Sequence, residues 1–156
     1  MKNSVYIAYG SNMDEVQMEL RCPDSVILGK GYLKNWRLMF KGSKTGAYAT
    51  IERKKGFVVP VILWTISVAD EANLDRYEGF PRFYYKRRVR YEDAAGGAKM
   101  GMAYIMHEER VLGEPSVYYY KVLEDAYKKF GFDLEILDTA YEYSTCGRDG
   151  SCRCIA

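Results

Sequence analysis

The hydrophobic pattern at the start of the chain predicts a strand, a tight turn and a helix. Residues 4–9 are mostly apolar, which is typical of a buried strand. Gly-Ser-Asn follows, and Asn12 with Glu15 three residues later matches the capping box that opens many helices. We expect this helix to stop before Pro23, because proline disfavours a helical conformation in the residue before it. The apolar residues that the helix would carry are Met13, Val16, Met18 and Leu20.

Apolar stretches further along the chain predict a sheet. Five segments read as strands and are bounded by glycines, lysines and other turn residues: 25–42, 47–53, 57–68, 83–92 and 100–108. The last two flank a glycine-rich loop at 94–99, which is typical of a hairpin. Many strands with few intervening helices favour an α+β domain, with a mostly antiparallel sheet that could close into a barrel.

Three more segments are predicted to be helical: 69–80, 115–131 and 134–145. In the first, Asp70 can serve as the N-cap and Gly79 can supply the left-handed residue that ends a helix. Leu74 and Tyr77 would then face the core. The second begins at a proline and ends at a glycine, as helices often do.

Composition and charge are those of one soluble globular domain. The chain has 156 residues, of which 48% are hydrophobic and 28% charged. A net charge of +2 is too small to indicate a nucleic-acid or membrane partner. The most apolar window, 57–69, is too short to span a bilayer and contains Pro60. The N-terminus has no signal-peptide pattern, so we predict a cytoplasmic protein.

The cysteine pattern favours reduced thiols in a C-terminal tail, with a metal or redox site as the alternative. Three of the four lie near the C-terminus with C-x5-C-x-C spacing, at Cys146, Cys152 and Cys154. Structural zinc sites use paired C-x-x-C spacing, and the only histidine, His107, is far away in the sequence. We therefore divide the chain into a domain at 1–145 and a cysteine-containing tail at 146–156, whose role the sequence leaves open.

The stretch Tyr-Gly-Ser-Asn, from Tyr9 to Asn12, is the first candidate for chemistry. A strand that enters a small-residue turn before a helix leaves backbone N–H groups pointing at one place, where the helix dipole favours negative charge. Gly10 would let a ligand approach the backbone closely. On these residues alone, a simple turn with a helix cap is the better interpretation. Ser11 is a poor candidate nucleophile, because the nucleophile elbow needs glycines on both sides, as in G-x-S-x-G.

Glu78 is the second candidate. A carboxylate in the last turn of a helix lies at the negative end of the dipole, so its pKa should rise. Its neighbours in sequence are aromatic, and desolvation by them would raise the pKa further. A carboxyl group tuned upward suits general acid–base catalysis near neutral pH. The alternative is an ordinary surface glutamate before a helix-ending glycine.

A basic strand at 85–91 is the third candidate. Strand periodicity places Lys86, Arg88 and Arg90 on one face, where they could meet nucleic-acid phosphates. Given the small net charge, we favour a solvated outer face whose charges discourage edge pairing.

Taken in order, these segments resemble the γ-glutamylcyclotransferase-like family, and most closely its short bacterial members. The similarity covers residues 4–140 and rests on the stretches YIAYGSNM, RCP, WRLMF, YATIE, VILWTIS, LDRYEGFPRFYYKRRVRY, MAYIM and PSVYYYKVLEDAYKKFGFD. The specific part is the Y-G-S-N turn followed at that distance by E-G. The resemblance implies a compact mixed β-barrel flanked by helices, with the substrate pocket at its mouth.

The resemblance also implies roles for individual residues. Glu78 takes the place of the family's catalytic glutamate. The γ-glutamyl moiety would be held, largely through backbone groups, by Tyr9, Gly10, Ser11 and Asn12. The tyrosines that match pocket-lining tyrosines of the family are Tyr85, Tyr104 and Tyr119, with Tyr118 and Tyr120 as alternatives to the last.

The implied reaction is the cyclisation of a γ-glutamyl amine or γ-glutamyl amino acid to 5-oxoproline, with release of the free amine. It needs a small-molecule substrate and no metal, cofactor, nucleic acid or membrane, and the protein would act as a monomer or homodimer. Two alternatives stay open. One is a non-catalytic module that binds γ-glutamyl ligands, and the other is a tailoring enzyme that removes a γ-glutamyl protecting group in small-molecule biosynthesis.

Overall fold

A computed structural model describes residues 3–146 of the chain. Its strands are β1 (Ser4–Ala8), β2 (Val26–Lys41), β3 (Tyr48–Ile66), β4 (Tyr84–Asp93) and β5 (Ala98–Met106). Its helices are α1 (Glu15–Arg21), α2 (Val68–Tyr77), α3 (Val117–Phe130) and α4 (Leu134–Cys146), and a 3-10 turn covers Ser11–Met13. The predicted cysteine-containing tail lies outside the described residues, except for Cys146 at the end of α4. Between residues 3 and 146, no helix combines the length and the apolar character that a membrane span requires.

The five strands close into a barrel in the order β1-β3-β2-β4-β5. Neighbouring strands are antiparallel except at the closure, where β1 runs parallel to β5 with Tyr6 opposite Met102. The predicted α+β fold with a mixed, mostly antiparallel barrel is thus confirmed.

One predicted strand break is wrong. The segments 47–53 and 57–68 form a single long strand, β3, which pairs along almost its whole length with β2. The register shifts between Lys34 and Trp36, where Asn35 has a φ of 65° and its side-chain oxygen accepts a hydrogen bond from the N–H of Gly56 at 3.0 Å. The polar and glycine residues therefore mark a bulge inside one strand instead of a turn between two.

The start of α1 also differs from the prediction. Asp14, not Asn12, caps this helix, and its carboxylate accepts a hydrogen bond from the N–H of Gln17. The helix has only seven residues. It buries Met18, while Val16 and Leu20 are 65% and 79% exposed. Because Asp14 caps the helix, the side chain of Asn12 is available for hydrogen bonds with other residues.

The helix that ends at Glu78 is fixed at both ends. Ser67 is the N-cap of α2, and Asp70 completes a capping box as the third helical residue, so Asp70 is not itself the N-cap as predicted. Leu74 is fully buried, which confirms its inward orientation, whereas Tyr77 is 46% exposed. Gly79 has a φ of 64°, as predicted for the residue that ends the helix.

The basic strand β4 is not uniformly solvated. Val89 and Tyr91 face inward, and Arg88 and Arg90 are exposed. Lys86, which shares a face with those two arginines in the alternation, instead forms ion pairs with Glu71 and Asp75 of α2 at 2.8 and 3.1 Å. The strand thus holds α2 against the barrel.

Candidate functional site

A cavity of about 200 Å³ lies where the C-terminal end of β1, the 3-10 turn, the start of β3, the end of α2 and the side of α3 meet. It exceeds the ~150 Å³ of an apolar cavity that accepts benzene, so it can hold one small molecule or one end of a larger one. Its lining residues are Tyr6, Ile7, Tyr9, Gly10, Ser11, Asn12, Tyr48, Ala49, Tyr77, Glu78, Phe83, Tyr84, Tyr104 and Tyr119.

Most of the residues predicted from the sequence line this one cavity. They are Tyr9, Gly10, Ser11, Asn12, Glu78, Tyr104 and Tyr119. Of the three consecutive tyrosines in α3, Tyr118 is 76% exposed, and Tyr120 bonds through its hydroxyl to Asp138. The register of the helix therefore selects Tyr119.

Tyr85 does not line the cavity, contrary to the prediction. Successive side chains alternate across a strand, so the position in β4 that faces the cavity is Tyr84. The hydroxyl of Tyr85 donates to Glu108, and its ring packs against His107 with centroids 5.2 Å apart. His107 lies on that side too, with Nε2 2.7 Å from the carbonyl oxygen of Pro81, so it is not paired with Ser11.

The Gly-Ser-Asn turn presents free backbone N–H groups. Within residues 3–146, the N–H groups of Gly10, Ser11 and Asn12 donate to no carbonyl or side chain. A Cβ at Gly10 would lie 3.1 Å from the hydroxyl oxygen of Tyr119, so glycine keeps this wall of the cavity open. Because a separate 3-10 turn intervenes before α1, the anion-binding capacity comes from these amides and not from a long helix dipole.

Glu78 follows the last residue of α2, and its N–H donates to the carbonyl oxygen of Leu74 at 2.8 Å. Within the described residues its carboxylate forms no hydrogen bond and no ion pair. Burial raises the pKa of Glu78 to about 7, and the charge of Arg21 acts in the opposite direction. A carboxyl group without a protein partner is free to exchange a proton with a ligand near neutral pH.

Three of the tyrosine hydroxyls around the cavity are hydrogen-bonded to backbone groups, whereas the hydroxyl of Tyr104 donates to the carboxylate of Asp75. Tyr9 donates to the carbonyl oxygen of Tyr104, and Tyr84 donates to that of Ala49 at 2.8 Å. Tyr119 accepts from the N–H of Ala49 at 3.1 Å, and among the described residues it has no acceptor for its own proton. Burial raises the pKa of Tyr9, Tyr84 and Tyr119, so all three are neutral donors at physiological pH.

The sequence did not single out the network that fixes Asn12. The Asn12 side-chain amide donates to the hydroxyl of Tyr6 at 3.0 Å, and its Oδ1 accepts from Arg21. Its backbone carbonyl accepts from Nε1 of Trp64 at 3.1 Å. No local signal could have found Arg21, since a basic residue in the last turn of a helix is ordinary. Tyr6 and Trp64 read only as parts of apolar strands.

Among residues 3–146, no group of three or more histidines, cysteines, aspartates or glutamates is arranged to hold a metal ion. The polar groups of the cavity are one carboxyl, backbone amides, hydroxyls and an amide side chain.

Replacing Glu78 by glutamine should stabilise the protein in a pH-dependent way. Since the folded state raises the pKa from an ordinary value near 4.3 to about 7, it binds more protons than the unfolded chain in that window. The stability of the unsubstituted protein therefore falls as pH rises from about 4.3 to 7. Glutamine does not titrate, so Glu78→Gln should gain about 1–3 kcal/mol at pH 8 relative to its effect at pH 4.

Thermal unfolding of both proteins across this pH range measures the effect. For a domain of this size the gain corresponds to a rise in Tm of several degrees, at about 2–4 °C per kcal/mol. A difference in Tm between the two proteins that is the same at pH 4 and pH 8 would show that the carboxyl of Glu78 has an ordinary pKa.

Several known proteins resemble this chain. The family model described as gamma-glutamyl cyclotransferase, AIG2-like, matches residues 6–126. The gamma-glutamylcyclotransferase of Bos taurus is 30% identical over 139 residues, which cover 84% of this chain and 73% of that protein. A solved structure of a gamma-glutamyl cyclotransferase has a TM-score of 0.79 at 25% identity, covering 89% of this chain and 86% of that one. The protein loc79017 from Homo sapiens also has a TM-score of 0.79, at 27% identity, covering 90% of this chain and 87% of that one.

Proposed function

The chain belongs to the gamma-glutamyl cyclotransferase, AIG2-like family, and on that premise we propose that it converts a γ-glutamyl amine or γ-glutamyl amino acid into 5-oxoproline and the free amine. One observation carries this proposal beyond the family. A carboxyl group with a pKa of about 7 and no hydrogen-bond partner among the described residues shares one small cavity with the free N–H groups of a glycine-containing turn.

The first step is the release of the substrate's own nucleophile. The α-amino group at a peptide N-terminus has a pKa of about 7.7–8.0, and the free α-carboxylate of a γ-glutamyl compound raises the pKa of its α-amine further, so this amine is mostly protonated at neutral pH. The carboxylate of Glu78 accepts one proton from this ammonium group. With a pKa near 7, Glu78 is partly ionised at neutral pH and can serve first as base and then as acid.

Ring closure needs orientation more than a protein nucleophile. The freed amine attacks the γ-carbonyl carbon within the same molecule and forms the C–N bond of a five-membered ring, so a cavity that holds the extended chain folded can supply much of the acceleration. Ser11 then positions the substrate and does not attack it. The N–H groups of Gly10, Ser11 and Asn12 can bind either the α-carboxylate or the oxyanion that forms on the carbonyl oxygen.

Tyr119 adds a neutral hydrogen-bond donor to this site. Tyr119 uses its oxygen to accept from Ala49, which leaves its proton for a substrate oxygen next to Gly10. Because Tyr119 is neutral at physiological pH, it can stabilise the developing negative charge without transferring its proton.

The leaving amine departs when its bond to the tetrahedral carbon breaks. Glu78 returns the proton that it accepted to the leaving nitrogen, and the attacking nitrogen loses a second proton as the lactam forms. The leaving amine takes up that second proton, so two protons move from the α-ammonium group to the released ammonium group. No metal or cofactor is needed for these steps, because the nucleophile is part of the substrate and Glu78 carries the proton. We propose that the enzyme does this in the cytoplasm, as a monomer or homodimer.

The test is an assay for 5-oxoproline with the purified protein and a panel of γ-glutamyl dipeptides, γ-glutamyl-ε-lysine and simple γ-glutamyl alkylamides. We expect 5-oxoproline and the free amine in equal amounts from at least one class. If γ-glutamyl compounds raise the Tm but none yields 5-oxoproline, the chain is a binding module and the catalytic proposal is wrong. Selectivity for one elaborate amide would instead identify a tailoring enzyme.

A further inference from the structure

Arg21, the last residue of α1, contacts both halves of the site without lining the cavity. Its guanidinium carbon lies 3.5 Å from the centroid of the Tyr77 ring, and it donates a hydrogen bond to Oδ1 of Asn12. Its backbone carbonyl accepts from Nδ2 of Asn73 at 3.0 Å. Asn12 belongs to the Gly-Ser-Asn turn, whereas Tyr77 immediately precedes Glu78. One side chain therefore joins the turn to the end of α2.

We infer that Arg21 is a positioning residue, which holds the Gly-Ser-Asn turn against the end of α2 and supplies the positive charge that faces Glu78. The inference rests on the proposed function for its catalytic meaning, but the contacts and the charge effect are properties of the folded chain. An arginine suits this place better than a lysine, because its planar guanidinium can stack on Tyr77 and still direct an N–H group at Asn12.

The titratable groups around Glu78 are neutral tyrosines, so the positive charge that acts on Glu78 comes from Arg21. The charge of Glu78 raises the pKa of four tyrosines, which are Tyr6 of β1, Tyr9 directly after β1, Tyr84 of β4 and Tyr119 of α3. Burial raises the pKa of all four, so they are neutral at physiological pH. Among the described residues, Arg21 is the charged group that lowers the pKa of Glu78 against the effect of burial.

The consequence concerns the fraction of Glu78 that can accept a proton. Without the charge of Arg21, burial would act unopposed and the carboxyl group would stay protonated to a higher pH. The loss of the hydrogen bond to Asn12 and of the stack on Tyr77 would in addition loosen the turn, which should weaken substrate binding. A side chain with only a structural role would produce the second effect and not the first.

A double-mutant cycle separates these two effects without any substrate. Thermal unfolding is measured at pH 4.5 and pH 8.5 for the unsubstituted protein, Arg21→Met, Glu78→Gln and the double variant. We expect Arg21→Met to lower the Tm more at pH 8.5 than at pH 4.5, because Glu78 is ionised only at the higher pH. In the Glu78→Gln background the loss should be the same at both pH values. An equal loss in both backgrounds at both pH values would overturn the inference.

Two further variants guard against a folding defect and against a general charge effect. Arg21→Gln keeps an amide donor for Asn12 but lacks the charge, so it should show the same pH dependence with a smaller overall loss. Arg76→Met removes a charge from the exposed side of α2, where Arg76 donates to Asn73. Its effect on the Tm should not depend on Glu78, and a dependence equal to that of Arg21→Met would also overturn the inference.

If the proposed reaction is observed, kinetics provide a second measurement. The kcat/KM of the unsubstituted enzyme should rise with pH through about 7 as Glu78 ionises. Arg21→Met should move this rising limb to higher pH, whereas Arg21→Lys should leave it in place and raise KM. An unchanged limb in Arg21→Met would contradict the charge effect. If no γ-glutamyl compound is turned over, the proposed function fails, and the unfolding cycle still decides the role of Arg21.

Discussion

Glu78→Gln is expected to lower kcat/KM for a γ-glutamyl substrate by about 10²–10⁴-fold, the usual contribution of a positioned acid–base group. Glutamine has nearly the same shape but neither accepts nor returns a proton. Since the carboxylate forms no hydrogen bond and no ion pair among the described residues, its replacement breaks neither kind of contact in the fold. The measurement is the rate of 5-oxoproline formation at pH 7–8 with the best substrate of the panel, together with the Tm of the variant.

Two controls make this result specific. Glu78→Asp keeps the carboxyl group but withdraws it from the cavity, so it should retain more activity than glutamine, with most of the loss in kcat. Glu19→Gln changes an exposed glutamate of α1 that does not line the cavity, and it should leave kcat/KM unchanged. Activity of Glu78→Gln close to that of the unsubstituted enzyme would rule out Glu78 as the proton carrier.

The fold was largely predictable because its elements are marked by local patterns. Alternation and apolar runs identified the strands, and capping residues with glycines identified the helix ends to within a few residues. The misplaced features share one cause, which is that a local signal can serve two structures. Gly56 and its polar neighbours read as a turn but form a bulge opposite Asn35. Asn12 has the chemistry of an N-cap, yet the neighbouring Asp14 takes that place.

The cavity was only partly predictable from the sequence. The turn and Glu78 stood out through residue type and position, and the direction of the Glu78 pKa followed from burial among aromatic residues. The tyrosines depended on the register of a strand and a helix, where an error of one residue selects Tyr85 in place of Tyr84. Contacts between distant segments left no local trace, as with the hydroxyl of Tyr9, whose acceptor lies 95 residues away.

The segment before α3 shows how such distant contacts support the site. Residues 111–114 lie against the connection between β2 and β3. The N–H of Glu114 donates to the backbone carbonyl oxygen of Lys44 at 2.8 Å, and the N–H of Ala47 donates to the backbone carbonyl oxygen of Glu114 at 3.0 Å. The N–H of Gly113 donates to the backbone carbonyl oxygen of Phe40 at 3.1 Å. The same connection leads directly into Tyr48 and Ala49, which line the cavity.

Gly113→Ala is therefore expected to be among the most destabilising single substitutions in the domain. A Cβ at this position would lie 1.7 Å from the carbonyl oxygen of Ser43, a backbone atom that cannot move away without breaking the neighbouring hydrogen bonds. We expect a loss of at least about 3 kcal/mol, at the upper end of the range for overpacking. At 2–4 °C per kcal/mol the Tm should fall by about 6–12 °C.

Gly97→Ala is the matched control for this prediction. Its added Cβ would meet the carboxylate of Asp93 at 3.2 Å. This carboxylate accepts from the N–H groups of Ala95 and Gly97 but needs to move by only a few tenths of an ångström, so the substitution should cost about 1 kcal/mol. The unfolding free energies of both variants are compared with that of the unsubstituted protein. Because the connection also positions Tyr48 and Ala49, Gly113→Ala should weaken the binding of a γ-glutamyl ligand even below its Tm, and Gly97→Ala should not. Equal stability of the two variants would show that the β2–β3 connection yields to the added methyl group and is not held by residues 111–114.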